Sequence, residues 1–358
     1  MTLRDIRQEE FANLYINSNR KNILNLCPRF GKIRTSIKIF EKIKPRTILI
    51  AYPDKKIEES WKDDFKELNF DSSIVTFVSH ISLKKHTDKN YDIIIIDEIH
   101  LLSEAQIEIC KEIFKNNNQI LGLTGTLSKW TEKTLNKELD LFVIAEYSIE
   151  KAIEEGVIVD YEIRVIKVPL DNKLPQTFRN KVRSEKKQFG ALSYVIDKLE
   201  KEEKNTMFLR LNRMRVIQNS IAKLNKTKEL LKEFKEERVL VFCGVTKIAD
   251  RLEIPSFHSK SSEKDLFHQF AIGKGNHMAV VKLGNTGVTY KPLNKVIINY
   301  FDSNAENLAQ KINRCMAMEY NNPDKKAIIY IVSSNEIIEL KWLTKALEFF
   351  DKNKIKYV

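Results

Sequence analysis

The chain has 358 residues, 42% of them hydrophobic and 31% charged, a size and balance that allow two separate cores and exclude a disordered chain. Its formal net charge of +12 suits a polyanionic partner, and suits equally well a solvated lysine-rich face. The first ten residues lack an apolar signal region and no stretch approaches the ~20 apolar residues of a spanning helix, so a membrane role is not expected. The four cysteines, Cys27, Cys110, Cys243 and Cys315, form no C-x-x-C pair, which points to a reduced, cytoplasmic setting without a zinc site.

In chain order, short runs rich in Ile, Leu and Val predict buried strands at Asn22–Leu26, Thr47–Ala51, Ser73–Val78, Asp92–Ile96 and Gln119–Leu123. Between them, Ile33–Ile43 and Ile57–Leu68 carry apolar residues at helical spacing. Strands alternating with helices predict a doubly wound parallel sheet. After a strand at Tyr161–Val168 comes a polar, helix-favouring stretch, and residues 171–238 hold 18 Lys and Arg against 10 Asp and Glu. A second α/β pattern then follows, with strands at Val239–Cys243, Met278–Lys282, Lys295–Tyr300 and Ala327–Val332. The expected organisation is one α/β domain over 1–150, a linker strand and basic helical segment over 151–235, and a second α/β domain over 236–358.

Two places carry chemistry. The strand Asn22–Leu26 runs into Cys27-Pro28-Arg29-Phe30-Gly31-Lys32-Ile33 and then a helix. A tight glycine-containing loop at a helix start can cradle phosphate with backbone N–H groups, while Lys32 reaches the outer phosphates. Standing alone, a Gly-Lys pair after a strand is most often ordinary helix-start chemistry. The strand Tyr91–Ile96 ends in Asp97-Glu98-Ile99-His100. Paired carboxylates at the carboxyl end of a parallel strand can hold Mg²⁺ through Asp97 and orient or deprotonate a water through Glu98. The plainer alternative is a helix cap formed by Asp97.

Taken together and in this order, the segments resemble superfamily 2 helicases through nearly the whole chain. The resemblance implies an α/β fold of two RecA-like domains that close on ATP and Mg²⁺ at a shared cleft. Arg29, Phe30, Gly31, Lys32 and Ile33 match the ATP-binding loop, and Asp97-Glu98-Ile99-His100 matches the D-E-x-H box, placing Asp97, Glu98 and His100 in the catalytic centre. Leu3-Arg4-Asp5-Ile6-Arg7-Gln8-Glu9-Glu10 resembles the adenine-reading element, with Gln8 on the base. Thr124, Gly125 and Thr126 match the motif that couples hydrolysis to domain movement. Ile48 to Pro53, followed by Trp61, looks like the strand and loop that contact the nucleic-acid backbone, and Ser79 stands where another such contact is expected. In the second domain, Thr286, Gly287 and Thr289 resemble the motif touching both the phosphate backbone and ATP. Gln310 and Arg314 resemble the last motif, with Arg314 as the arginine finger.

The middle segment adds Arg213 and Arg215, on a basic helix able to pair with phosphates or to present a solvated face. Few aromatics interleave with these residues, so base stacking is not expected. Three departures from the family stand out: Arg29 replaces a glycine, Ile33 a hydroxyl residue and Ala317 a second arginine. The expected activity is a nucleic-acid-dependent ATP hydrolase, with DNA favoured over RNA because the loop, box and compact core resemble DNA-repair and restriction-type members. The short chain would suit a phage enzyme acting in the host cytoplasm. The alternatives are an RNA helicase and an ATP-gated clamp that hydrolyses poorly.

Overall fold

The computed structural model describes residues 2–174, 176–178, 181–261, 264–281, 290, 293–317, 325–348 and 350–358. The chain divides into two compact units, one spanning Met1–Val159 and the other beginning at Asp160.

The first unit runs α1 (Leu3–Ile16), β1 (Lys21–Leu26), α2 (Lys32–Ile43), β2 (Ile48–Tyr52), α3 (Lys55–Glu67), β3 (Val75–Ser79), β4 (Ile93–Asp97), α4 (Glu104–Lys115), β5 (Ile120–Thr124), α5 (Lys129–Leu139), β6 (Phe142–Tyr147) and α6 (Ile149–Glu154). The six strands form one sheet in the order β3-β2-β4-β5-β1-β6, and every pairing is parallel. Strands β2, β4 and β5 are buried at every position, because helices cover both faces and leave no side for polar residues. The core on one face gathers Ile23, Leu49, Ile94, Ile96, Ile107 and Ile113. Helix α4 begins in a reciprocal capping box, Ser103 with Gln106, while α2 begins at Gly31 with no side-chain cap at all.

The second unit runs β7 (Asp160–Val168), β8 (Gln176–Phe178), β9 (Lys181–Arg183), α7 (Glu185–Lys201), α8 (Met207–Gln218), α9 (Ile221–Glu233), β10 (Val239–Cys243), α10 (Thr246–Asp250), β11 (Ser256–Phe257), α11 (Lys264–Ala271), β12 (His277–Val281), β13 (Lys295–Ile298), α12 (Ala305–Ile312), β14 (Lys326–Ser334), α13 (Ile337–Ala346) and β15 (Ile355–Tyr357). Seven strands form a second parallel sheet, ordered β11-β12-β10-β13-β14-β7-β15. Strand β7 is a full member of this sheet, registered against β14 from Asp160↔Lys326 to Val168↔Ser334.

The expected strands and helices form, with ends displaced by a few residues. The polar stretch after β7 also holds an antiparallel hairpin, β8 with β9, that the helical reading of this region did not contain. Strands of three residues are too short to display a period of two. Strand β6 escaped for another reason: Phe142 lies exposed in it, as befits an edge strand. Among the described residues no helix is long and apolar enough to cross a membrane.

Candidate functional site

In a parallel sheet the loops at the carboxyl ends of the strands share one edge, and ligands bind there. In the first unit this edge carries, from β3 across to β1, Ser79, Pro53, the Asp97-Glu98 pair, the Thr124-Gly125-Thr126 turn and the Pro28–Lys32 loop. Five segments scattered over a hundred residues become neighbours through strand order alone. Pro53 follows the pair Tyr52↔Ser79, which places it beside Ser79; both are half-buried.

The loop after β1 is anchored from below. Phe30 is fully buried against Phe11 and Tyr147, with ring centroids 5.4 and 4.8 Å away. Gln8 of α1 is also buried, and its Nε2 donates to the Phe30 carbonyl at 3.0 Å. This places the expected adenine-reading residue on the backbone of the loop. Gly31 has φ of +102°, and a Cβ there would stand 2.5 Å from Gln8 Nε2. Arg29 has φ of +70°, so the arginine keeps the left-handed conformation that a glycine adopts freely. We expect Gly31→Ala to cost about 1–3 kcal/mol of stability through that conformation, measured by urea unfolding. It also displaces the Gln8 side chain from Phe30, so nucleotide affinity should fall with it. A variant as stable as the parent would show that the loop accommodates a side chain at this position.

From this loop Lys32 reaches past β5 to the turn after β4, where its Nζ lies 2.5 Å from Glu98 Oε1. Burial works against the Lys32 ammonium, but attraction to Glu98 and Asp97 outweighs it and raises its pKa. Glu98 shows the converse: burial opposes its charge, yet Lys32 and His100 hold it below the ordinary carboxylate value. Asp97 is pushed up to about 6, first by burial and then by the nearby Glu98 charge, with Lys32 opposing. Two adjacent carboxylates, one held by hydrogen bonds from Trp61 and a backbone N–H and the other facing a lysine, can divide metal and acid–base work between them.

The capping alternative for Asp97 does not describe the structure. Its Oδ1 accepts from the backbone N of Glu98 at 2.9 Å and its Oδ2 from Trp61 Nε1 at 2.8 Å. Glu98 itself has φ of +48°, a left-handed conformation uncommon for a residue with a side chain. That kink turns the chain after β4 and directs Glu98 towards Lys32.

His100 continues the line. It is buried, its Nδ1 lies 3.5 Å from Glu98 Oε2 and 2.8 Å from Thr124 Oγ1, and burial lowers its pKa. Thr124 Oγ1 in turn donates to the Thr126 carbonyl at 2.9 Å. Carboxylate, imidazole and threonine turn thus form one buried chain of contacts. Gly125 permits this turn to approach the phosphate loop, since a Cβ would meet Pro28 Cδ at 3.1 Å and Leu26 O at 3.2 Å.

Ile33, half-buried, offers no hydroxyl, and the two nearest hydroxyls do not replace one. Thr35 Oγ1 donates to Gly31 O and Ser36 Oγ to Lys32 O, each at 3.1 Å, and both residues are fully buried. Two further residues lie against Asp97, a place that sequence reasoning gave to neither. Trp61, expected near a nucleic-acid backbone, lies wholly inside and binds Asp97. His80 is buried with Nε2 3.1 Å from the Asp97 carbonyl, and burial lowers its pKa to about 4. No local pattern could have revealed either, because their partner stands 36 and 17 residues away.

In the second unit, Gln310 lies on α12, and its buried Oε1 has no hydrogen-bond partner among the described residues. The α-helix ends at Ile312, so Arg314 sits in a tight turn over Asn313–Cys315 rather than one helical turn beyond Gln310 on the same face. Arg314 is buried. Thr286, Gly287 and Thr289 lie outside the described residues. Arg213 is drawn into packing between α8 and α7, with its NH1 3.2 Å from Ser193 Oγ and its guanidinium 5.7 Å from the Phe189 ring. Arg215, two residues on, is exposed.

No family model matches the sequence. Over 279 residues the chain is 24% identical to the DNA 3'-5' translocase XPB2 of Sulfurisphaera tokodaii, an alignment covering 70% of this chain and 62% of that protein. The chain therefore spans about three fifths of the length of this curated relative. Among solved structures it resembles S. cerevisiae Dbp5 bound to RNA and ADP BeF3, with a TM-score of 0.64 and 11% identity over 98% of this chain and 89% of that one. A point variant of Dbp5 with the same ligands gives a TM-score of 0.61 at 12% identity and the same coverage. Both units share the tandem RecA-like fold of that protein.

Proposed function

We propose that this superfamily 2 helicase core is an ATP-dependent translocase or helicase that acts on nucleic acid, DNA rather than RNA, in the cytoplasm. The observation that carries the reading is the cluster of half-buried Lys32 and Glu98 around buried Asp97 at the carboxyl edge of the first sheet. Drawing three ionisable groups together and partly out of water carries a desolvation cost that their mutual attraction need not return, and such clusters gather where function uses them. Beside them stands α2 with its first N–H groups uncapped, and a helix N-terminus with a lysine is a ready phosphate cradle.

In this reading Lys32 exchanges Glu98 for the outer phosphates of ATP, and the freed Glu98 carboxylate orients and deprotonates the attacking water. The donor set suits Mg²⁺, a hard cation usually bound through one or two carboxylates, phosphates and water, and Asp97 would hold it. When bound, Mg²⁺ neutralises charge on the phosphates. His100 carries the state of Glu98 to Thr124 and Thr126 through the contacts above, Gly125 permitting their close approach. Gln8, Arg29, Phe30, Gly31 and Ile33 shape the nucleotide side of the edge. Gln310, Arg314, Gly287 and Thr289 are the second domain's contribution to the same reaction. Pro53, Ser79, Thr286 and Arg215 are assigned to the nucleic-acid backbone; Arg213, engaged within the helices, would support Arg215 rather than touch phosphate. Functionally we divide the chain into a nucleotide-binding domain over 1–150, a basic segment over 151–235 and a second domain over 236–358.

DNA is preferred because the curated relative is a DNA translocase by name, while the likeness to an RNA-bound protein rests on fold. One observation favours the ATP-gated clamp as a second reading: Ile33 offers no hydroxyl oxygen beside Lys32, and the hydroxyls of Thr35 and Ser36 lie fully buried on carbonyls of α2. A phosphate-release assay with single-stranded DNA, forked DNA and RNA separates the readings. We expect release stimulated most by DNA and lost in Glu98→Gln. Stimulation by RNA alone would replace DNA by RNA, and equal background rates in both proteins with every nucleic acid would establish the clamp.

A further inference from the structure

The carboxylate assigned to Mg²⁺ is gripped from outside its own strand. Glu98 N donates to one Asp97 oxygen at 2.9 Å, and the indole Nε1 of Trp61 donates to the other at 2.8 Å. Trp61 belongs to α3 and is fully buried, 6.5 Å from the Phe40 ring in a stacked pose and 5.6 Å from Phe65. Packing of the ring by itself calls for no polar atom. What tryptophan adds is one N–H, which can only donate and which, once buried, requires an acceptor. Helix α3 is itself tied down, since Arg34 of α2 meets Glu67 at 2.7 Å and Asp64 at 3.6 Å. The donor therefore comes from a fixed support.

A second observation points the same way. A carboxylate that must meet a metal needs its rotamer held by hydrogen bonds from neighbours. The phosphate loop cannot supply one from a hydroxyl, for Ile33 has none and the protons of Thr35 and Ser36 are engaged with helix carbonyls. Trp61 is thus the side chain that supplies Asp97 with a hydrogen bond from across the sheet edge.

We propose that Trp61 is a positioning residue for the Mg²⁺-binding carboxylate: its indole N–H holds Asp97 in the orientation that presents it to the metal of bound Mg²⁺–ATP. The proposal rests on the ATP reading above. Trp61 touches neither nucleotide nor water and acts only through Asp97.

The test compares the full chain with Trp61→Phe, which keeps an aromatic ring and removes the N–H. Binding of a fluorescent ATP analogue is titrated in excess EDTA and then across Mg²⁺ concentrations. The expected result is similar affinity in EDTA and a roughly 10-fold or greater rise in the Mg²⁺ concentration that half-saturates the metal-dependent gain. A merely structural role predicts the reverse, with affinity in EDTA falling and the Mg²⁺ midpoint unmoved, and that result overturns the proposal. A second measurement needs no variant. The chain has three tryptophans, of which Trp130 is exposed and Trp342 half-buried, so the buried Trp61 indole gives a distinct ¹⁵N–¹H resonance. Adding Mg²⁺ to the nucleotide-loaded protein should shift it beyond the effect of nucleotide alone; an unmoved resonance also overturns the proposal. A parent chain that binds no nucleotide with or without Mg²⁺ sinks the ATP reading and this inference with it. A parent that binds, with a Mg²⁺ midpoint unchanged in Trp61→Phe, sinks the inference alone.

Discussion

Glu98→Gln is expected to lower phosphate release by about 10²–10⁴-fold, the contribution a positioned general base commonly makes, while nucleotide binding survives. The amide preserves shape and removes both the base and the charge. The Lys32 ammonium lies 2.5 Å from Glu98, so an incoming phosphate must compete with that carboxylate. Glutamine weakens the competitor, and Asp97 remains to favour the charged lysine. Affinity for nucleotide should therefore hold or rise while turnover collapses. Rates are read by phosphate release under single-turnover conditions and affinity by fluorescence titration. Parental turnover in Glu98→Gln would remove Glu98 from the chemistry. Loss of binding together with turnover would mean that Glu98 acts by keeping Lys32 in place rather than as a base.

The largest effect on stability is expected in the second unit, at an ion pair wholly cut off from water. Lys223 Nζ of α9 meets Glu339 Oε1 of α13 at 2.6 Å, and both side chains are fully buried. Glu339 Oε2 accepts from the backbone N of Ser334 at 2.7 Å, and the Lys223 ammonium lies 5.5 Å from the Phe301 ring. Every charge in this group has a partner, and removing one partner strands the other. Lys223→Met should destabilise the protein by about 3–5 kcal/mol, the usual consequence of an uncompensated buried charge. Replacing both, with Lys223→Met and Glu339→Leu together, should recover much of that loss, because apolar groups of similar volume need no counter-charge. Urea unfolding of the two single variants and the double variant forms the necessary cycle. A single variant within about 1 kcal/mol of the parent would show that water or another group reaches the remaining charge.

The two sheets and most of the first unit's candidate site were legible in the chain, and particular residues explain why. Ile93 to Ile96 announce a strand buried on both faces because a parallel sheet covered by helices leaves no polar side. Asp97 and Glu98 follow at its carboxyl end, so their position on the ligand edge comes with the strand. Gly31-Lys32 opens a helix after another strand, and strand order brings the two together. The short antiparallel strands 176–178 and 181–183 carried no such signature, since they are shorter than the period that would reveal them. Arg213 shows the limit of charge as a guide: a guanidinium in a basic run can be consumed by packing on an aromatic ring.

By itself, then, the sequence determined the alternation of strands and helices, the strand ends that carry the candidate site and the residue types offered there, because local periodicity and turn chemistry are short-range properties. Only the tertiary structure decided which of these offers meet. It gave Lys32 to Glu98, put the Trp61 indole on Asp97, engaged the hydroxyls of Thr35 and Ser36 inside α2, and buried Lys223 against Glu339. The physical reason is the same for the Lys32, Trp61 and Lys223 contacts. A hydrogen bond or ion pair depends on a few ångströms of space, and folding sets that distance between residues that the chain holds tens of positions apart.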